Sequence, residues 1–353
     1  MNAIDLFCGC GGASLGLELA GYQVVAAVDN DLVACKTYAR NLGLAPICRD
    51  LRFFSGEQIL ESCDLKRGDV DLVVGCPPCQ GFSSLRRTRY PDCRDSRKSL
   101  VTVFLKRIAE IRPKAAILEN VPGIATSKGL RYLNKFLRQI EKAGYKTDWK
   151  LVNAADYGIA QFRRRVIAVC AQGEIKPSIP ARTHADPNEA LDGMKPWKTV
   201  YDEIRQLPSL EPGECCSSIP NHRARTHSPR VLDIIRNIPK DGGSRKSLPE
   251  HLWLPCHRKL REDKGHGAES IYGRMTWKKP SPTITCRCTT PSSGRFVHPE
   301  QDRAITPREA ARLQSFPDGF VFPQEFNKAE RLIGNAVPPT LMSVLSSSFE
   351  EVF

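Results

Sequence analysis

From Ala3 to Cys170 the chain alternates short apolar runs with stretches of helical periodicity. Consecutive parallel strands need a long crossover between them, and a helix usually supplies it. The alternation therefore predicts an α/β fold: an open, mostly parallel sheet with helices on both faces. The runs that read as strands are Ala3–Phe7, Gln23–Asp29, Ala45–Arg49, Asp71–Gly75, Ala115–Glu119, Trp149–Asn153 and Arg165–Cys170. Between them, Leu100, Val103, Phe104, Arg107, Ile108 and Ile111 form one mostly apolar stripe at helical spacing. Leu130, Leu133, Leu137 and Ile140 form another, and both read as core rather than chemistry.

Two stretches break this pattern. Ser83 to Lys98 carries Arg86, Arg87, Arg89, Arg94, Arg97 and Lys98 with no periodicity, which reads as a long basic loop following Cys79. Such a loop inside a compact domain is usually functional or disordered, and a plain surface loop is its bland reading. From about Gln172, prolines, histidines and basic residues crowd together, as in Asn221-His222-Arg223 and Cys256-His257-Arg258-Lys259. A second, smaller and less regular domain is expected there. Order returns at Thr306-Pro307-Arg308-Glu309, a capping box with proline at the first helical position. A last helix is expected from about Thr340, with Leu341, Val344, Leu345 and Phe349 on one face. There is no internal repeat and no low-complexity tract.

Charge narrows the partners. The 353 residues hold 52 Lys and Arg against 39 Asp and Glu, a formal net charge of +13. This surplus favours a polyanion, because each phosphate neutralised releases condensed counterions. No apolar run approaches the roughly 20 residues of a membrane-spanning helix, so no membrane partner is expected. The N-terminus has neither the basic start nor the cleavage site of a secretory signal, so a cytoplasmic, DNA-associated location is expected. The 14 cysteines are irregularly spaced, which fits free thiols better than a disulfide framework. Cys76 and Cys79 resemble half a zinc site or a redox pair, but no second ligand pair stands at suitable spacing, so no metal is expected.

Asp5-Leu6-Phe7-Cys8-Gly9-Cys10-Gly11-Gly12 falls at the first strand-to-helix turn. Glycines there let the backbone approach a ligand, and a helix N-terminus offers free amide donors. Asp29 ends the second strand, where an acid can accept hydrogen bonds from a ribose. A nicotinamide cofactor would suit these features too. Ser14, however, stands where a dinucleotide fingerprint has its third glycine, and Asp5 would repel a pyrophosphate while welcoming a methionine ammonium. S-adenosylmethionine is therefore favoured.

Gly75-Cys76-Pro77-Pro78-Cys79-Gln80 follows an apolar strand and puts a thiol at the carboxyl end of the sheet, where ligands bind in this architecture. Glu119-Asn120-Val121 ends the next strand in the same way, and Gln161-Phe162-Arg163-Arg164-Arg165 begins another. Alternation places Arg163 and Arg165 on one side of that strand. A thiol, a carboxylic acid and two guanidiniums suit one problem well. Carbon 5 of cytosine is a poor nucleophile until a thiolate adds at carbon 6. A carboxyl group at ring nitrogen 3 eases that addition, and an arginine on the base oxygen steadies the charge that develops. Nearby arginines also favour the thiolate. Taken singly, the cysteine is a small buried hydrophobe and Glu119 a structural partner of Arg163 or Arg165.

These blocks resemble, in order, those of the cytosine-5 DNA methyltransferases, which use S-adenosylmethionine. Asp5-Leu6-Phe7-x-Gly9-x-Gly11-Gly12, Pro77-Pro78-Cys79-Gln80, Glu119-Asn120-Val121 and Gln161-x-Arg163-x-Arg165 carry the likeness. So do Arg308 to Pro317 and Gly334-Asn335-Ala336-Val337-Pro338-Pro339. The resemblance implies a class I methyltransferase (Rossmann-like) fold with a discontinuous catalytic domain, residues 1–178 and 322–353, closed by the final helix. Residues 179–321 would be an irregular target-recognition domain. Phe7, Gly9, Gly11, Asp29, Asp50, Pro78, Asn335 and Val337 would line the cofactor pocket. Cys79 would be the nucleophile, Glu119 would engage nitrogen 3 and the amino group, and Arg165 would hold the base oxygen. Arg163 would organise Glu119 or nearby backbone, and the basic loop would close over the base. A monomer acting on double-stranded DNA by base flipping, in a restriction-modification setting, is the implied enzyme. Asn30 departs from members that carry an aromatic residue after the acid, so the adenine contact is weaker or comes from elsewhere.

For base readout the second domain offers Asn221, His222, Arg245, Arg258 and Arg287. Three other readings compete. An RNA cytosine-5 methyltransferase would carry Cys-Phe-Thr in the late region, which is not found. A non-catalytic DNA-binding protein would not need Cys79, Glu119, Arg163 and Arg165 together. A nicotinamide dehydrogenase leaves Cys79 and the arginine pair unexplained.

Overall fold

The seven apolar runs become seven strands of one sheet: β1 (Asn2–Leu6), β2 (Gln23–Asp29), β3 (Ile47–Cys48), β4 (Leu72–Gly75), β5 (Ala115–Asn120), β6 (Tyr145–Asn153) and β7 (Arg164–Gln172). The computed structural model describes residues 1–78, 100–126, 129–174, 176–189, 193–254 and 270–349. Cys79, Arg258 and the expected loop from Ser83 to Lys98 lie outside them. The helices are α1 (Gly12–Leu19), α2 (Leu32–Leu42), α3 (Gly56–Glu61), α4 (Leu100–Ile111), α5 (Leu130–Lys142), α6 (Val200–Ile204), α7 (Pro229–Arg236), α8 (Pro307–Leu313), α9 (Phe326–Asn335) and α10 (Pro339–Ser347).

Two compact units emerge. The first is Met1–Tyr157, Arg164–Thr183 and Ala336–Phe353; the second is Gly158–Arg163 and His184–Asn335. The sequence reading drew its boundaries at 178/179 and 321/322. In the structure α9 travels with the second unit, because it packs on α8 and its Glu330 accepts from Thr289.

In the first unit the strand order is β3-β2-β1-β4-β5-β7-β6. β1 pairs in parallel with both β2 and β4, so the order reverses there and a crevice opens beyond the strands' carboxyl ends. The sheet is mostly parallel, as expected. Among the described strands, β7 runs against the others, antiparallel to both β5 and β6. This reversal brings the first residues of β7 to the carboxyl edge of β5.

Alternation along the strands separates two faces. Ile4, Leu6, Val28, Val73, Leu118 and Val166 face a core filled by Phe104 and Ile108 of α4 and Leu133, Phe136 and Ile140 of α5. Both predicted stripes are thus core. Phe136, which the sequence stripe omitted, stacks on Phe104 with ring centroids 6.0 Å apart. On the opposite face α1 packs against α10, the expected last helix. Gly16 permits this contact, since a Cβ there would lie 2.7 Å from Met342 Cβ. α2 starts from Asp31, whose carboxylate accepts from the Val33 and Ala34 amides at 2.9 and 3.2 Å.

The second unit has little regular structure: a parallel pair, β8 (His184–Ala185) with β9 (Lys195–Pro196), short helices and long irregular segments. Buried carbonyls without a ladder still need donors. Buried arginines supply them. Arg274 donates to the carbonyls of Ile238, Ile235, His298 and Gln301 at 2.7–3.0 Å. Arg308 donates to those of Pro220, Pro317 and Phe320 at 2.6–2.9 Å. The capping box at Thr306 and Glu309 forms as read from the sequence. Among the described residues, no helix is long and apolar enough to cross a membrane, and no three His, Cys, Asp or Glu side chains converge as metal ligands.

Candidate active site

The glycine-rich turn leaves β1 with a left-handed backbone at Phe7 (φ 62°), Gly9 (φ 56°) and Gly11 (φ 99°). Gly11 is needed twice over: its φ disfavours a side chain, and a Cβ would lie 2.6 Å from Leu42 and 2.9 Å from Tyr38. Tyr38 and Leu42, one turn apart on α2, therefore wall the loop. The sequence reading missed them, although their spacing after the Asp31 cap was legible. Asp29, at the end of β2, ties the loop down. Its carboxylate accepts from the Gly9 amide at 2.9 Å and the Asp31 amide at 2.8 Å. Burial raises its pKa, against these amide hydrogen bonds.

Beneath the loop lies Asp5, fully buried. One carboxylate oxygen accepts from Ser14 Oγ at 2.6 Å; the other is buried with no hydrogen-bond partner among the described residues. Burial pushes this carboxyl up to about 7, against the Ser14 hydrogen bond and with help from Asp29. Because the folded value lies above the unfolded one, the stability Asp5 contributes is complete at low pH and is lost as pH rises through about 7. The thermal midpoint of Asp5→Asn measured relative to wild type is accordingly expected to rise from mildly acidic to mildly alkaline buffer. Parallel wild-type and variant curves would refute this cause.

The other expected cofactor residues are placed as follows. Asp50 is gripped by Arg52, with Nε at 3.1 Å from Oδ1 and Nη2 at 2.6 Å from Oδ2, and this contact lowers its pKa. Any further donor to Asp50 shares the carboxylate with Arg52. Pro78 is exposed, and Val337 is buried just before α10. Asn335 belongs to the second unit. It is exposed, and its Oδ1 accepts from the Cys286 thiol at 3.0 Å.

At the carboxyl end of β5, Glu119 meets Arg165 of β7 with Nε 2.8 Å from Oε1. The register explains the meeting. Glu119 pairs with Ile167 across the antiparallel ladder, so Arg165, two residues earlier, is its diagonal neighbour on the same face. The guanidinium N–H does not point along the contact, and Glu119 Oε1 is buried with no hydrogen-bond donor among the described residues. The next residue, Asn120, donates from Nδ2 to the Pro77 carbonyl at 3.2 Å. It thereby pins the segment that leads into Cys79. Nothing in the local sequence around Asn120 foretells this task.

Arg163 is not part of the strand; β7 starts at Arg164. Arg163 lies in the second unit, almost fully buried. Its guanidinium donates to the carbonyls of Ile284 at 3.4 Å and Gly334 at 3.3 Å. Alternation along one strand therefore does not relate it to Arg165.

Three of the five readout candidates are corrected. Asn221 is buried and clasps Phe322 by both backbone groups, at 3.1 and 2.8 Å. His222 is buried between Thr306 Oγ1 at 3.1 Å and the Pro208 carbonyl at 2.8 Å. Arg245 is buried, its Cζ 6.0 Å from the Trp253 ring centroid. Irregular segments need internal donors and acceptors, and Asn221 and His222 supply them instead of facing a ligand. Arg287 is exposed.

A mostly parallel seven-stranded sheet, with a glycine-rich first turn and acids at its strand ends, is the arrangement of the class I methyltransferases. Residues 1–351 match the model of one family, C-5 cytosine-specific DNA methylase. The chain belongs to that family and is a DNA (cytosine-5) methyltransferase. It is 35% identical over 352 residues to the Type II methylase M.HgiDII of Herpetosiphon aurantiacus, covering 98% of this chain and 94% of that one. It is 34% identical over 349 residues to the Type II methyltransferase M1.HphI of Haemophilus parahaemolyticus, covering 99% and 86%. A prophage-encoded Escherichia coli protein described as a DNA modification methyltransferase superposes with a TM-score of 0.74 at 25% identity, over 99% of both chains. The family requires a methyl donor.

Proposed function

We propose that the protein methylates carbon 5 of a cytosine turned out of duplex DNA, with S-adenosylmethionine as the donor and Cys79 as the nucleophile. The observation that carries this reading is Glu119 at a strand end, its Oε1 2.8 Å from Arg165 Nε and buried with no hydrogen-bond donor aligned on it among the described residues. A carboxyl group so placed is suited to nitrogen 3 and the amino group of a cytosine, with Arg165 on the base oxygen. The Cys79 thiolate adds to carbon 6, which makes carbon 5 nucleophilic. Arg163 acts through the backbone, holding the Gly334 carbonyl.

Phe7, Gly9, Gly11, Asp29, Asp50, Pro78, Asn335 and Val337 would hold S-adenosylmethionine. The fit rests on charge: the carboxyl of Asp5, with one unpartnered oxygen, and that of Asp29 favour a cationic ligand over a pyrophosphate. When bound, this cofactor supplies an electrophilic methyl group. Unstacking the base costs roughly a few kcal/mol, which basic contacts to the phosphates offset. Sequence readout would fall to the second unit, where Arg287 remains a candidate.

The test is trapping on duplex DNA containing 5-fluorocytosine, with S-adenosylmethionine present. Fluorine at carbon 5 does not leave as a proton does, so a covalent adduct should persist and should be absent in Cys79→Ala. Cofactor binding without any adduct on mixed-sequence duplexes would reject the reading.

A further inference from the structure

The second unit contains a cationic cluster with no part in the chemistry above. Arg223 and Arg225 follow Asn221 on an extended segment, where Arg223 forms an isolated bridge with Cys215. Both guanidiniums stack on Phe326, the first residue of α9. Their Cζ atoms lie 4.0 and 4.6 Å from the ring centroid.

The two arginines differ in what their N–H groups do. Those of Arg225 are taken. Nε and Nη2 donate to Thr289 Oγ1 at 3.3 and 3.2 Å, Nη2 also donates to Asn327 Oδ1 at 3.2 Å, and buried Glu330 lies 3.5 Å away. Arg223 Nε and Nη2 have no hydrogen-bond partner among the described residues. Glu325, the acid beside Phe326, pairs with Lys328 at 2.7 Å. Elsewhere in this chain the same Nε/Nη2 edge grips a carboxylate: Arg52 on Asp50, and Arg312 on Asp318. Arg223 thus holds, beside a second cation, an edge matched to a two-oxygen anion that no carboxylate among the described residues takes up. Burial and the neighbouring Arg225 charge push its pKa down, against the nearby Glu325 charge.

We propose that Arg223, stacked on Phe326 beside Arg225, binds a phosphodiester group of the DNA substrate. The inference rests on the reading of duplex DNA as substrate. A guanine edge also offers two acceptors, but the second guanidinium favours a charged partner over a neutral one. Both nitrogens are covered in the free protein, so engagement requires the guanidinium to slide outward across the ring.

The experiment is equilibrium binding to two duplexes of unrelated sequence over a series of salt concentrations, for wild type, Arg223→Ala and Arg223→Lys. Each phosphate contact contributes about 0.9 to the slope of log K against log salt. Arg223→Ala should reduce that slope by about one contact and weaken both duplexes alike, by roughly tenfold at low salt. Arg223→Lys should recover most of the slope. Arg223→Gln carries the same test if the alanine variant does not fold. An unchanged slope would assign Arg223 to structure alone, and a loss confined to one duplex would make it a base reader; either overturns the proposal. A wild-type protein without salt-dependent duplex binding would overturn the substrate reading as well.

Discussion

Replacing Cys79 by alanine is expected to slow methyl transfer by at least about 10⁴-fold while leaving duplex binding within a few-fold of wild type. The size of the effect follows from the substrate. Carbon 5 is activated only once carbon 6 carries a nucleophile, so without the thiolate no side chain can substitute by positioning alone. Exchange of the carbon 5 hydrogen with solvent depends on the same addition and should vanish with it. The two readouts, single-turnover transfer and tritium release from labelled cytosine, should fall together. Cys76→Ala is the control. Cys76 is half-buried just after β4, with its amide on the Leu6 carbonyl at 3.3 Å. A Cys79→Ala enzyme within about a hundredfold of wild type would mean that another group initiates the reaction.

The second large effect concerns stability. In the second unit Arg303 grips Glu309 in two parallel hydrogen bonds of 2.8 and 2.7 Å, both side chains essentially buried. The Thr306 amide adds a third bond to that carboxylate at 2.7 Å. Burial raises the Glu309 carboxyl, but the Arg303 charge and hydrogen bonds outweigh it and hold the pKa at about 2. Glu309→Gln leaves a buried guanidinium uncompensated and is expected to cost about 3–5 kcal/mol, whereas replacing both partners by apolar residues should cost far less.

The pH dependence has a definite sign. A carboxyl whose folded pKa lies below its ordinary value of 4.5 contributes stability that is present above 4.5 and lost as pH falls toward about 2. His298 lies beside Glu309, and burial holds its imidazole at about 4, neutral in the folded state. Its contribution is complete above 6.5 and is lost on the way down to about 4. Denaturant titrations should therefore show a two-stage acid loss in wild type, with the lower stage missing in Glu309→Gln. A cost below about 1 kcal/mol, with both stages intact, would show that the pair is not compensating its own burial.

The local pattern alone determined much of this protein. Each of the seven strands was legible, the central β1, β4 and β5 because a strand buried on both faces reads as a short apolar run wherever it falls in the fold. The Gly9–Gly12 turn, the Thr306 capping box and the final helix were legible for the same reason: their geometry is set by residues within a few positions of one another. Tertiary structure decided what depends on pairing partners. Alternation within one stretch put Arg163 and Arg165 together, but β7 begins between them and runs antiparallel to β5. One arginine therefore meets Glu119 while the other holds the Gly334 carbonyl. In the second unit the sequence offered polar residues such as Asn221, His222 and Arg245 without saying which would be buried. Where the backbone forms no ladder, its carbonyls and amides draw in whichever side chains long-range folding brings near. No local period records that choice, so only the folded chain separates a residue that satisfies its own backbone from one left to meet a phosphate.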